Sequence, residues 1–416
     1  MKRNQIEISA PAGSWASLTA AIQGNADSVY FGTEHFNMRA SSSENFSLYD
    51  LPDIVSFCKK HGVRCYLAFN VVIFDNEIDK MKKIIDAAAK SGVSAIIATD
   101  QSVINYAFSK GIEIHLSTQL NITNTDTLAF YSQWADVAVL ARELSLEQVK
   151  HISGEIKKRR ICGPSGKPVK IEIFAHGALC MAISGKCYLS LHEYNKSANR
   201  GLCNQICRRS YIVTDKETGF ELEIDNQYIM SAKDLCTIGF LDKILDSGAE
   251  ILKIEGRARS PEYVRTVTSC YDEALSSIEQ GTYTPEKIKE WTERLSTVFN
   301  RGFWDGYYLG RKTGEWTNRY GSSATMRKTY LGKITNYYKK IGVAEVKLEN
   351  GDLSRGDTIL IIGPTTGSIE YQVEEIRDSE HNITEKALKG TLCSIKTGHY
   401  LRKSDKIYRW EKKDPD

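Results

Sequence analysis

Five thiols lie between positions 180 and 236: Cys180, Cys187, Cys203, Cys207 and Cys236. The first two sit in HGALCMAISGKCYLS (176–190), small and flexible residues that follow an apolar run. Thiolates are soft ligands, and a group of them in a reducing compartment binds zinc or an iron–sulfur cluster. Structural zinc sites bring their ligands in tight pairs, and only Cys203 and Cys207 are spaced that way. The wider step from Cys180 to Cys187 and the distant Cys236 suit a centre gathered from several loops. Spacing leaves three readings open: an iron–sulfur cluster, zinc, or thiols that bind nothing. The other five cysteines, Cys58, Cys65, Cys162, Cys270 and Cys393, stand alone in or beside expected elements and read as small buried hydrophobes.

A second set of residues carries charge. Arg39, Arg142, Arg257 and Lys253 fall at the ends of β-type runs, together with Glu143, Glu172, Glu255, Asn70, Gln119 and Asn121. Each alone reads as a loop-end salt bridge or amide. Collected in one concavity, three guanidinium groups and an ammonium predict an anionic substrate held by bidentate contacts. Glu172, His176 and Glu255 are then the candidates for orienting groups and moving protons. His176 and Cys180 also stand four apart, the types of a nucleophilic Cys–His pair, but that spacing in a loop does not establish contact.

A third set mixes cations with rings. Residues 301–330 hold six Lys/Arg against two acids, interleaved with aromatics that include Trp304 and Tyr308. The stretch around the thiols adds Arg200, Arg208 and Arg209. Cations beside aromatic faces suit unpaired RNA, through phosphate contact and base stacking. On that reading Arg200, Arg208, Arg209, Trp304, Tyr308 and Arg311 touch RNA. The bland alternative is a connector that packs its aromatics against two domains. Hydrolytic patterns do not appear: HEYNK (192–196) lacks the second His of a zinc helix, no GxSxG elbow is found, and GPSGK (163–167) reads as a turn.

The elements that must position these groups follow from the apolar pattern. Eight β-type runs, at 6–13, 27–32, 63–71, 94–100, 112–119, 136–143, 169–177 and 250–257, alternate with amphipathic helical stretches. Eight βα units favour a closed (β/α)₈, TIM-like barrel with its active site at the C-terminal strand ends, although an open doubly wound sheet shares the pattern. The long gap between the seventh and eighth runs makes residues 178–240 a Cys-rich insertion on that face. The expected boundaries are a barrel over 1–284, a helical and basic–aromatic connector over 285–329, and a small C-terminal β-barrel over 330–416. A net charge of +3 on 416 residues confines any nucleic-acid contact to a local patch. No stretch approaches a membrane span or a signal peptide, so a cytoplasmic protein is expected, with no membrane partner.

At EIFAHGALCMAISGKCYLS the sequence resembles the peptidase U-thirty-two family of collagenase-like proteases. The likeness extends through NRGLCNQICRRSY, MSAKDLC, LKIEGRARSPEYV and APAGSWASLTAAIQGNADSVYFG. The resemblance implies the barrel, and a C-terminal β-barrel like that of the tRNA-directed members. Better-understood members are oxygen-independent hydroxylation factors with a 4Fe–4S cluster, acting on tRNA wobble uridine, a ribosomal cytidine or a ubiquinone precursor. The tRNA members depend on prephenate, an anionic oxygen donor of the kind an arginine-rich mouth would suit. Motif matching implies Cys180, Cys187, Cys203 and Cys236 as ligands, with Cys207 as the alternative. The expected activity is RNA hydroxylation forming 5-hydroxyuridine, with tRNA as partner and a redox partner of unknown identity. The alternatives are a collagenase-like peptidase and a zinc-stabilised RNA-binding module.

Overall fold

The computed structural model describes residues 2–219, 221–222, 230–310, 314–319 and 321–413. Eight parallel strands are β1 (Glu7–Ala12), β2 (Ser28–Phe31), β3 (Arg64–Phe69), β4 (Ala95–Ala98), β5 (Glu113–Leu116), β6 (Val137–Val139), β7 (Lys170–Ala178) and β8 (Ile251–Ile254). Each pairs with the next, and β8 closes the ring against both β1 and β7. The result is the (β/α)₈ barrel the eight runs predict. Its strands are buried on both faces because helices cover the outside and packed side chains, polar as well as apolar, fill the inside.

The helix over Ile78–Ser91 shows how the pattern becomes packing. Met81, Ile84, Ile85 and Ala88 recur at the three- and four-residue spacing of one helical face, and all are buried. Each large side chain so buried contributes roughly 1.5–3 kcal/mol. The helix ends at Gly92, whose φ of +75° is the left-handed cap conformation that glycine adopts without strain.

Two departures from a regular barrel shape the site. Lys253 pairs with Phe174 and Ile254 with His176, so Ala175 is an extra residue on β7, a bulge. Beyond it, the short strand Asp234–Cys236 runs antiparallel to the end of β7 and carries Phe303–Trp304 on its other side. The insertion between β7 and β8 lies over the strand ends and is anchored there. Gly201 (φ +77°) passes so close to the Asn37 carbonyl that a Cβ would sit 2.1 Å from it. Only glycine fits such an approach.

Residues from Met326 onward form a second unit: β9 (Met326–Tyr338), β10 (Val343–Leu348), β11 (Thr358–Gly363), β12 (Gly367–Gln372), β13 (Leu392–Lys396) and β14 (Lys406–Lys412). With two short strands they make an eight-stranded antiparallel sheet, folded over its own core of Leu331, Val346, Ile361, Ile395 and Ile407. It docks on the outer helices of the barrel: Thr19 Oγ1 donates to Pro364 O at 2.7 Å, and Lys328 Nζ lies 2.8 Å from Glu262. Among the described residues no helix is long and apolar enough to cross a membrane.

Candidate active site

A cavity of about 460 Å³ opens at the C-terminal ends of the barrel strands, between them and the insertion. Its lining holds six arginines, Arg39, Arg142, Arg208, Arg257, Arg259 and Arg301, with Lys253, against the single carboxylate of Glu255. Arg39, Arg142, Arg257, Lys253, Glu255, Asn70 and Gln119 therefore share one wall system, as the strand-end reading predicts. Asn70 Nδ2 donates to Gln119 Oε1 at 3.2 Å, which fixes both amides.

The charges are arranged in layers. Arg39 donates to Glu255 Oε1 from Nε at 3.2 Å and Nη2 at 2.7 Å. Burial would raise the Glu255 carboxyl, but Arg39, then Arg142 and Arg257, outweigh it and hold it at about 2. Arg257 is 4% exposed and donates from Nη1 to Asn37 Oδ1 at 2.8 Å; burial brings its guanidinium down to about 10. Its Nε is buried with no partner, and so is that of Arg142, which stacks 3.7 Å from the Phe174 ring centre. Two unsatisfied N–H donors beside a cavity are a standing demand for an acceptor.

Cys180, Cys187, Cys203 and Cys207 also line this cavity, on the insertion side. Burial pushes Cys207 up to about 11, Arg208 works against that, and the other three thiols stand close enough to add to it. Cys236 does not line the cavity; its thiol packs beside Tyr271, and burial pushes it up to about 11. Four thiols on one wall are the donor set that a soft ion or cluster takes. Among the described residues no three Cys, His, Asp or Glu side chains are already drawn into a closed metal-binding group.

Residues 13–318 match the model of peptidase family U32. The chain belongs to that family. A protein named collagenase from Porphyromonas gingivalis is 57% identical over 414 residues, covering all of both chains. The tRNA hydroxylation protein P1 of Bacillus subtilis is 31% identical over 90% of this chain and 88% of its own. A 23S rRNA 5-hydroxycytidine synthase of Escherichia coli is 29% identical over 96% of this chain and 59% of its own.

Several expected site residues of this U32 chain are placed elsewhere. His176 is 1% exposed and faces away from the cavity, ringed by Tyr263, Tyr271 and Phe303 at 6.1, 5.7 and 5.6 Å. The bulge at Ala175 is the reason: one extra residue inverts the alternation, so Phe174 points in and His176 points out. Burial, then the Arg259 charge, lowers its imidazole to about 3. No Cys–His pair forms with Cys180. Glu172 lies below the cavity inside the barrel, where Lys253 Nζ is 2.6 Å and His115 Nδ1 3.7 Å away. Asn121 serves as the left-handed cap of a short helix, and Glu143 is exposed outside the cavity.

The expected RNA contacts are mostly structural. Arg200 donates to Val72 O at 2.5 Å and to Glu77 Oε2 at 2.7 Å, clamping the insertion to the β3 loop. Arg208 donates to Ala232 O and Leu179 O, both at 2.5 Å. Arg209 is exposed and pairs with Glu193 at 3.2 Å. Trp304 and Tyr308 are 5% and 4% exposed; Trp304 Nε1 donates to Lys233 O and Tyr308 Oη to Phe174 O. These aromatics are packing groups, the bland alternative for a basic–aromatic run. Arg311 lies outside the described residues. Cys162, expected buried, is exposed.

Sequence reasoning missed Asn37, Arg259 and Arg301. Asn37 is fully buried and accepts from the Arg39 backbone N–H at 2.9 Å as well as from Arg257, so one amide positions two cavity arginines. Asp234, 1% exposed, lies 3.7 Å from Arg259 and 3.4 Å from Arg301, and both guanidinium groups approach Phe299. The RAR run at 257–259 is the signal that would have found Arg259.

Proposed function

We propose that this chain is an iron–sulfur-dependent, oxygen-independent RNA hydroxylation factor that forms 5-hydroxyuridine at the wobble position of tRNA. One observation carries the reading: four thiols and six arginines share a single cavity at the catalytic face of the barrel. Relatives named as tRNA and rRNA hydroxylation proteins supply the reaction class.

Cys180, Cys187, Cys203 and Cys207 would hold a 4Fe–4S cluster, which supplies electron transfer beside the cavity when bound. The chain's own residues do the rest. Arg142 and Arg257 present buried, unpartnered Nε donors to an anionic oxygen donor of the prephenate kind. Glu255, ionised down to about pH 2, holds Arg39 in place rather than carrying a proton for transfer. Tyr30 keeps its proton on Oη, given to Ile254 O at 2.7 Å, and its ring supports Lys253 at 4.3 Å. Asn70 and Gln119 offer amide edges to a base extruded into the mouth.

The test is iron and acid-labile sulfide on anaerobically purified protein, with alanine variants of all five insertion cysteines, and mass spectrometry of tRNA from a deletion strain. The expectation is roughly four irons and four sulfides per chain. They are lost in the 180, 187, 203 and 207 variants and kept in Cys236→Ala. The deletion strain is expected to lose the wobble hydroxyl. Zinc without iron, or unchanged tRNA, overturns the reading. The relative named collagenase favours a second one, a peptidase. It predicts gelatin cleavage by the pure protein, by a centre that works without His176.

A further inference from the structure

Two exposed segments meet at one end of the C-terminal sheet: the turn joining β9 to β10 and the loop leading from β13 to β14. Thr397 N donates to Gly342 O at 2.8 Å, and Tyr337 Oη to His399 O at 2.9 Å, so their placement is fixed. At their junction stands Tyr400. Tyr337 meets its ring edge-on at 5.2 Å, the Arg402 guanidinium lies 4.2 Å from its centre, and Lys339 Nζ lies 5.1 Å away. Arg402 Nη1 also donates to Tyr400 Oη at 2.7 Å.

Around this nucleus Lys339, Lys340, Lys396, Arg402 and Lys403 are all exposed, and Tyr338 and Tyr400 are 44% and 46% exposed. The two segments, 336–343 and 396–405, contain one carboxylate, Asp405, which is buried and accepts from the Arg402 backbone N–H at 2.8 Å. None of the five cations is in an ion pair among the described residues, and only Arg402 has a carboxylate, the buried Asp405, near enough to act on it. Five like charges on one small surface repel each other unless a polyanion answers them. None of these residues lines the barrel cavity.

We infer that this patch is a docking site for an unpaired RNA strand, remote from the cavity. The inference rests on the RNA reading above and deepens it by naming the surface and the kind of strand. Phosphates meet the lysines, and bases stack on the Tyr338 ring and the Arg402 plane, which its hydrogen bond to the Tyr400 hydroxyl orients. Stacking needs open bases, so an unpaired strand fits and a duplex does not.

The test is fluorescence anisotropy of the full chain with a labelled unpaired RNA oligomer and a duplex of the same length, over a salt series. Lys339→Gln with Lys340→Gln is expected to lower the salt slope by about 1.5 and weaken unpaired RNA at least ten-fold. Tyr338→Ala is expected to weaken it about ten-fold. Iron content and melting temperature should match the wild type, since these side chains are exposed. Wild-type binding with no change in the variants overturns the patch and leaves the RNA reading standing. So does equal binding of duplex with a silent Tyr338→Ala, or variants that lose only binding to anionic phospholipid vesicles. A wild-type chain that binds no RNA overturns both.

Discussion

Arg39 grips Glu255 through two nitrogens, at 3.2 and 2.7 Å, and so ties the loop after β2 to the end of β8. The carboxylate that looked like a catalytic acid is the counter-charge of the arginine-lined cavity wall. Below it, Glu172 plays the same part for Lys253 and His115.

Both carboxylates make stability depend on pH in the acid range. Burial opposes their ionisation, yet Lys253 and His115 bring Glu172 to about 2, and the arginines bring Glu255 to about 2. These folded values lie below the unfolded carboxylate value of about 4.3, so the contribution is complete above that pH. It is lost as pH falls from about 4.3 towards 2. Thermal melts across this range should show a steep loss in the wild type and a shallower one in Glu172→Gln. At neutral pH that variant should be less stable by about 3–5 kcal/mol, because Lys253 is left buried without its partner.

His176 adds to the same loss on the acid side, starting from a higher pH. Its folded value of about 3 lies below the ordinary imidazole value near 6.5, so folding favours the neutral ring. That stability is present above about pH 6.5 and drains away as pH falls towards 3. His176→Phe should flatten the slope between about pH 6.5 and 4.5 while leaving cofactor content and tRNA modification intact. A folded variant without modification would return His176 to the reaction.

Arg200 and Arg208 hold the insertion over the cavity. Arg200→Ala removes the clamp on Glu77 and Val72. Limited proteolysis is expected to cut within 180–210 several-fold faster than in the wild type, with the barrel core resisting. Unchanged cleavage would mean that Gly201 and the backbone contacts hold the insertion unaided.

Trp304→Phe separates packing from recognition. It deletes the hydrogen bond to Lys233 O in a buried site and should cost about 1–2 kcal/mol. RNA affinity measured by anisotropy should not move. A specific loss of affinity in a stable variant would restore the 301–330 segment as an RNA surface.

How much of this was legible depends on the kind of signal. The eight strands were, because β-branched runs of strand length alternate with helical periodicity, although that pattern alone does not separate a closed barrel from an open sheet. Arg39, Asn70, Gln119, Arg142, Glu255 and Arg257 were, because a strand end in a barrel has a fixed direction. His176 was not, since a bulge leaves no mark in composition and changes the parity of everything after it. Trp304 and Tyr308 were not, because an aromatic beside a lysine has the same sequence whether its ring faces solvent or a neighbouring backbone carbonyl. Arg259 and Arg301 reach the cavity across loops, and a long side chain's destination is set by its tertiary partner, here Asp234.

The extra residue at Ala175 has a consequence for which side chains the mouth of this barrel receives. The last turn of β7 offers two sets of side chains, and a single peptide unit decides which one the cavity receives. With Ala175 present, the mouth is given the Phe174 ring that carries Arg142, and the imidazole is spent on the hydrophobic wall. Delete that one unit and Phe174 and His176 become consecutive residues, still on opposite faces; only a regular ladder that kept Ala175 in register would turn the histidine inward. The ladder register alone, with no change of residue type, thus sets which side chain this mouth receives.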